Sequence, residues 1–489
     1  MMLMPQSTDP TLAAKASTLP ENSARQLAGS YSLRVIIFLL AHLPLALVME
    51  SFWPLATAHA VLVTLAGVRW ALLGRSRLVI YTLAYIAASE VLWRMTEVRV
   101  FWEFGKYALG LVALVALVSE WRRSGGRLRT FEPLLLLAAL LPAVALALLD
   151  LSFDQAFDQI SFNLSAYLAL VLAALYLWGR PVGRRTAGGL LLALLAPISG
   201  VLFLASYSTI TQIGVDSFSG ASSWIRSGDF GANQVANVLS MGALAGFILL
   251  VLLPRARAAR LLIALLTVGM IVQSILTFSR GGLYSLILAG LALGLHLWRA
   301  PGARGRFLVL LVAFTALVFG GIYPWLDDLS TGAVTARFQD LDPTGRLELA
   351  QAEIMAFQES PLLGVGVGGS MIYHEYVLGE SVGTHTEYTR LLAEHGLFGI
   401  FIIALLGWML LKRYVRTQPG LARGISAAMA VWSLSIMAHS ATRIVAISLA
   451  LALALVDWQL DAEEPAAVPR DVAPRVGTQR VGLQRTKRR

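Results

Sequence analysis

The chain of 489 residues contains no cysteine. That excludes disulfides, thiolate metal sites, iron–sulfur clusters and a cysteine nucleophile. Charge is scarce as well: Asp, Glu, Lys and Arg make up 14% of the residues, against about 25% in an ordinary soluble domain. Polar surface on that scale cannot clothe the several soluble domains that the length would otherwise suggest. The first 34 residues are polar and contain Pro, Ser and Thr. They are too long and too polar for the charged start of a cleaved signal peptide, so the first apolar segment is expected to remain as an anchor. No repeat recurs at a fixed spacing.

Apolar residues are abundant, at 57%. Crossing about 30 Å of hydrocarbon takes about 20 of them in a helix. Candidate spans fall near residues 35–51, 53–73, 78–93, 105–119, 133–149, 163–179, 187–208, 231–253, 261–278, 281–298, 307–325, 391–411, 424–440 and 442–458. The early pairs are the weakest, being interrupted by Pro44, Pro54 and Glu90. The pattern predicts an all-α polytopic membrane protein of about 12 to 14 transmembrane helices. It divides into an N-terminal tail (1–34), a bundle of eleven candidate spans (35–325) containing a long loop at 209–230, a large loop (326–390), three last spans (391–459) and a disordered basic tail (460–489).

Every second connection is basic: Arg75 and Arg77; Arg122, Arg123, Arg127 and Arg129; Arg180, Arg184 and Arg185; Arg255, Arg257 and Arg260; Arg299, Arg304 and Arg306; Lys412, Arg413, Arg416 and Arg423. Lys and Arg beside spans are retained in the cytoplasm, so these connections and both tails are placed there. The net charge of +10 is then a topology signal and not a mark of nucleic-acid binding. The loops 209–230 and 326–390 face away from the cytoplasm. Within the longer one, an amphipathic helix is expected from Leu347 to Glu359, stopped by Pro361.

Ionisable groups at the edge of a membrane are costly and mark function by default. On the non-cytoplasmic side these are Arg94, Arg99, Lys106, Arg226, Arg280, Arg337, Arg346, Arg390 and Arg443, with His374, His385, His395 and His439. Arg280 sits in LTFSRGGLYS between two apolar runs. Its guanidinium matches phosphate oxygens, and Gly281 and Gly282 permit close approach; the alternative is snorkelling to headgroups. Arg226 precedes a Gly/Asn-rich helix start, or pairs with Asp229. Arg346 opens the amphipathic helix, where amides favour an anion. Together the three suggest a site for a multiply charged phosphate. His385 stands at the membrane edge where a general base is needed, or is an inert loop residue; Glu387 and Tyr388 are neighbours that could orient it, and Arg390 follows them. The glycines of SPLLGVGVGGS lack the lysine of a phosphate-binding loop and are expected to supply turns. Asp340 and Asp342 have a spacing used for divalent metals, redundant where arginines hold phosphate, so no metal and no cofactor are expected.

These stretches resemble the O-antigen ligase and polysaccharide polymerase superfamily. The likeness rests on Arg226 to Asn233, Ser279 to Gly282, Gly345 with Arg346, Pro361 to Gly366, and His385 to Gly399, in that order. Members usually have about twelve spans, fewer than the fourteen counted above, which puts the early pairs in doubt. The resemblance implies an inverting, metal-independent, GT-C-type glycosyltransferase of a bacterial inner membrane with its site open to the periplasm. The donor would be an undecaprenyl diphosphate-linked glycan and the favoured acceptor lipid A-core, which makes a ligase of lipopolysaccharide biosynthesis; a polymerase or a protein O-oligosaccharyltransferase would use similar parts. By position, His385 would be the base and Arg226 and Arg280 the diphosphate ligands, with Arg346 as a third. A transporter should show two repeated halves with broken spans, and no such symmetry is visible.

Overall fold

A computed structural model describes residues 21–125, 128–212, 222–253, 257–299, 301–339, 346–379 and 383–460. Asp340, Asp342, Gly345, residues 1–20 of the N-terminal tail and residues 461–489 lie outside them. The first helices are α1 (Glu21–Leu40), α2 (His42–Ser51), α3 (Trp53–Leu72), α4 (Ser76–Met95), α5 (Phe104–Ser124), α6 (Glu132–Asp150) and α7 (Phe153–Leu177). A short strand β1 (Pro181–Gly183) leads into α8 (Arg184–Thr211), α9 (Ala232–Leu252), α10 (Arg257–Leu276), α11 (Arg280–Trp298) and α12 (Pro301–Leu317). Then come α13 (Tyr323–Leu329), α14 (Ala333–Gln339), α15 (Arg346–Glu359), α16 (Ser370–Leu378), α17 (Glu387–His395), α18 (Leu397–Arg416), α19 (Leu421–Met437), α20 (Val445–Ala454) and β2 (Asp457–Gln459).

Among the described residues twelve helical segments are long and apolar enough to cross a membrane, and α19 and α20 are shorter apolar helices. The fourteen expected spans therefore all have a helical counterpart, the doubted early pairs included. The chain is an all-α polytopic membrane protein. Its centre is the segment from Ile225 to Leu252, whose apolar window is 94% buried; α8, α10 and α11 pack against it. At the periphery, Phe307–Leu329 is only 12% buried and offers its apolar surface to lipid.

Contacts divide the connections between two faces. On one, Arg129 and Arg180 both pair with Glu120, Lys412 reaches Glu132 at 2.6 Å, and β2 adds to β1 in parallel, Val182 opposite Trp458. On the other, Ser223 N donates to Thr277 O at 3.1 Å and Arg443 reaches Thr384 O at 2.9 Å. Arg129, Arg180 and Lys412, from three of the expected basic connections, lie on the first face.

Two departures from the expected spans matter for the site. The span expected from 391 begins at Leu397, because Gly396 (φ +57°) breaks the chain between α17 and α18. The last span is also short: α20 has ten residues, about 15 Å of helix, and residues 438–444 form a non-helical break between it and α19. The amphipathic helix appears as expected, as α15. The glycine run straps α17 to α6: Val365 N and Gly366 N donate to Ala393 O and Glu394 O at 2.9 and 3.2 Å, and Val367 N to Ala143 O at 3.3 Å. Those amides are taken by protein carbonyls and cannot cradle a phosphate.

At Gly364 (φ +76°) an added Cβ would run into the backbone of Glu394 and His395. Gly364→Ala is expected to cost about 2–4 kcal/mol from the backbone conformation and the overpacking together. Gly290, in the middle of α11 with open space around it, should gain up to about 1 kcal/mol on replacement by Ala. Thermal unfolding in detergent, with opposite shifts of the midpoint, checks the pair.

Candidate active site

Arg280 is the first residue of α11 and is placed by the turn before it. Ser279 Oγ donates to Asn233 Oδ1 at 2.8 Å. Gly282 lies where any Cβ would meet the carbonyl of Ala236, so its lack of a side chain lets α11 start directly against α9. The preceding Phe278 is fully buried and holds φ +57°, a conformation costly for a non-glycine residue and concentrated at functional sites. The Arg226 guanidinium lies 5.4 Å from the Phe278 ring, and Arg337 Nε donates to the Phe278 carbonyl at 3.2 Å. One strained residue thus joins the turns that carry Arg226, Arg280 and Arg337.

Arg346 enters from the start of α15. Burial, then the like charges of Arg280 and Arg337, depress its pKa, so the three guanidinium groups share one field. The charge of Arg346 also reaches His385 and His439. His439 packs on Gly281, and its Nε2 lies 3.1 Å from Ser285 Oγ. Arg226, Arg280, Arg337, Arg346, His385, His439 and Arg443 are each neither buried nor fully exposed, although the helices around them are buried. The side chains of Arg280, Arg337, Arg346, His385, His439 and Arg443 act on one another electrostatically and form one half-buried cationic cluster, the candidate cleft.

His385 directly precedes the capping residue of α17, Thr386, whose side chain accepts from Thr389 N at 3.2 Å. Burial first, then Arg346, Arg443 and His374, push its pKa down to about 4. At neutral pH the imidazole is uncharged and can accept a proton.

Glu387 and Tyr388, expected as neighbours that could orient His385, make their hydrogen bonds to other groups. Glu387 is fully buried; it pairs with Arg390, accepts from Tyr167 Oη at 2.8 Å and from Thr442 N at 2.9 Å. Tyr388 Oη donates to Leu434 O at 2.9 Å. Arg390 is 1% exposed between Glu387 and Glu394. These three residues support α17 from behind, because consecutive positions on a helix face different ways. His374 is likewise buried, 3.3 Å from Glu353.

Other members of the site were in the sequence only as unranked charges. Arg94 Nη1 donates to Gln234 Oε1 at 2.8 Å and to the Arg443 carbonyl at 3.1 Å, while its other nitrogen pairs with Glu90 at 2.9 Å. Glu103 and Lys106, 2.5 Å apart, extend this buried network. Their early signs were the candidate charges Arg94 and Lys106 and the interruption of an apolar span by Glu90. Among the described residues no group of three His, Asp or Glu could hold a metal ion.

Fold and cleft together define a polytopic helical membrane protein with a cationic site at one face. Residues 265–404 match the family model described as O-antigen ligase. That stretch, under a third of the chain, carries Arg280, Arg337, Arg346 and His385, and the chain is similar to the O-antigen ligase family there. No curated protein matches the chain.

Removing one partner of a buried ion pair costs about 3–5 kcal/mol. Glu387→Gln is accordingly expected to lower the unfolding midpoint by several degrees. Glu359→Gln, at the end of α15 where the carboxylate meets only the Tyr373 hydroxyl at 2.5 Å, should change the midpoint little. Equal shifts would remove the supporting role given to Glu387.

Proposed function

We propose that this protein is an O-antigen ligase of a bacterial inner membrane. It transfers glycan from undecaprenyl diphosphate to lipid A-core at the periplasmic face, with inversion and without a metal. The observation that carries this reading is the convergence of Arg280 and Arg346 with an uncharged His385, inside the family-matched stretch. Orientation follows from the positive-inside rule: the arginine-rich face is cytoplasmic and the cleft opens to the periplasm.

The chemistry needs little else. A guanidinium offers bidentate donors to phosphate oxygens, so Arg280 and Arg346, with Arg226 at the rim, hold the diphosphate of the donor. The acceptor hydroxyl gives its proton to the His385 imidazole as its oxygen forms the bond to the anomeric carbon. On the opposite side of that carbon the bond to the phosphate oxygen breaks, and both electrons leave with the diphosphate. The arginines stabilise the charge that develops there, which is where preorganised donors act most strongly. Donor binding also prepares the base: the anion offsets the field of Arg346 and Arg443, so the imidazole becomes a stronger acceptor once the donor is seated.

Purified protein given lipid-linked glycan and lipid A-core, with EDTA and no nucleotide, should form capped core. Longer lipid-linked chains with uncapped core would make it a polymerase instead, and inhibition by EDTA reversed by magnesium would contradict the metal-free reading. His385→Ala is expected to lower kcat by at least about 100-fold while donor binding persists. Arg280→Ala should weaken donor binding, and Arg280→Lys should restore only part of it. Full activity in His385→Ala would remove the base.

A further inference from the structure

The break between α19 and α20 lies outside the family-matched stretch, yet charged side chains from distant parts of the chain fasten it. Glu90 accepts from Val445 N at 2.5 Å and Glu387 from Thr442 N at 2.9 Å, while Arg94 donates to the Arg443 carbonyl at 3.1 Å. The side chains of Glu90, Arg94 and Glu387 are 2%, 6% and 0% exposed. Buried non-helical backbone needs such partners for its polar groups. A ten-residue α20 could have been a longer, regular helix; the break instead delivers one side chain toward the cleft.

That side chain is Arg443. Its Nη2 donates to the carbonyl of Thr384 at 2.9 Å, and Gly383 beside it lies where any Cβ would run into the guanidinium. Both ends of the stretch around His385 are therefore tied to the same break: Thr384 through the Arg443 side chain and Glu387 through the Thr442 amide. The imidazole sits between the two ties.

We infer that Arg443 is a positioning residue for His385, holding the Thr384 carbonyl so that the imidazole faces the cleft. This rests on the role of base proposed for His385. The groups facing that imidazole are Arg346 from α15, His374 from α16 and Arg443 from the break. A nearby cation disfavours protonation of an imidazole. Removing Arg443 therefore raises the pH below which His385 is protonated and idle.

The test measures glycan transfer by the full chain between about pH 4.5 and 8, a range that brackets the ordinary histidine value. Arg443→Gln should lower kcat by about 10–100-fold, the scale of a misplaced reacting group, with little change in donor KM. Its acid limb should move to higher pH. Arg443→Lys should keep the acid limb low while restoring only part of kcat. Gly383→Ala pushes the guanidinium off the Thr384 carbonyl with every charge retained, so it should lower kcat even if Arg443→Gln does not fold. A normal kcat with an unmoved limb would overturn the inference, and so would a loss confined to donor KM, which would make Arg443 a diphosphate ligand. An active His385→Ala would instead remove the base itself, and the two failures are distinguishable.

Discussion

The site depends on holding like charges together where water is scarce. Burial and the charges of Arg280 and Arg337 depress the pKa of Arg346, and burial with Arg346 and Arg443 acts on His385 in the same sense. Such a cluster would disperse on a flexible loop. Here it persists because the groups that carry it are fixed by neutral or oppositely charged partners behind the cleft. Phe278 and Asn233 fix the Arg280 turn, and Glu90 and Glu387 fix the break that carries Arg443. The repulsion that remains is what a bound diphosphate would relieve.

The bundle supplies the rigidity. The most buried span, Ile225–Leu252, ends at the turn that carries Arg226 and presses against the start of α11. Through α7, Tyr167 and the Asn163 carbonyl hold Glu387 and Arg390, so α17 is docked from inside the bundle. The cleft is thus formed where the ends of separate helices meet, and irregular backbone occurs there because carboxylates and carbonyls from those helices complete its hydrogen bonds.

Much of this was legible in the sequence, for definite reasons. Hydropathy located the helical segments because lipid tolerates only helices with closed backbone bonding. Arg280, Arg346 and His385 stood out because a charge at an edge expected to be non-cytoplasmic has no topological excuse. The role of Arg443 was not, since it comes from a contact with Thr384 across 59 residues and from carboxylates at 90 and 387. Nor could sequence tell that Glu387 turns away from His385, which depends on Tyr167 lying in a helix 220 residues earlier. The break at Gly396 was hidden by the apolar run that continues through it. It follows from the close approach of Gly364 and Pro361, which leaves no room for a side chain.

The central claim is that separate guanidinium groups close on one diphosphate beside one imidazole. A density map of the protein with undecaprenyl diphosphate bound tests it most directly. The account expects phosphate density within hydrogen-bond reach of both Arg280 and Arg346, with the His385 ring across the site from the leaving oxygen, on the side from which the acceptor hydroxyl attacks. Phosphate density on the opposite, arginine-rich face, or out of reach of both side chains, would contradict it.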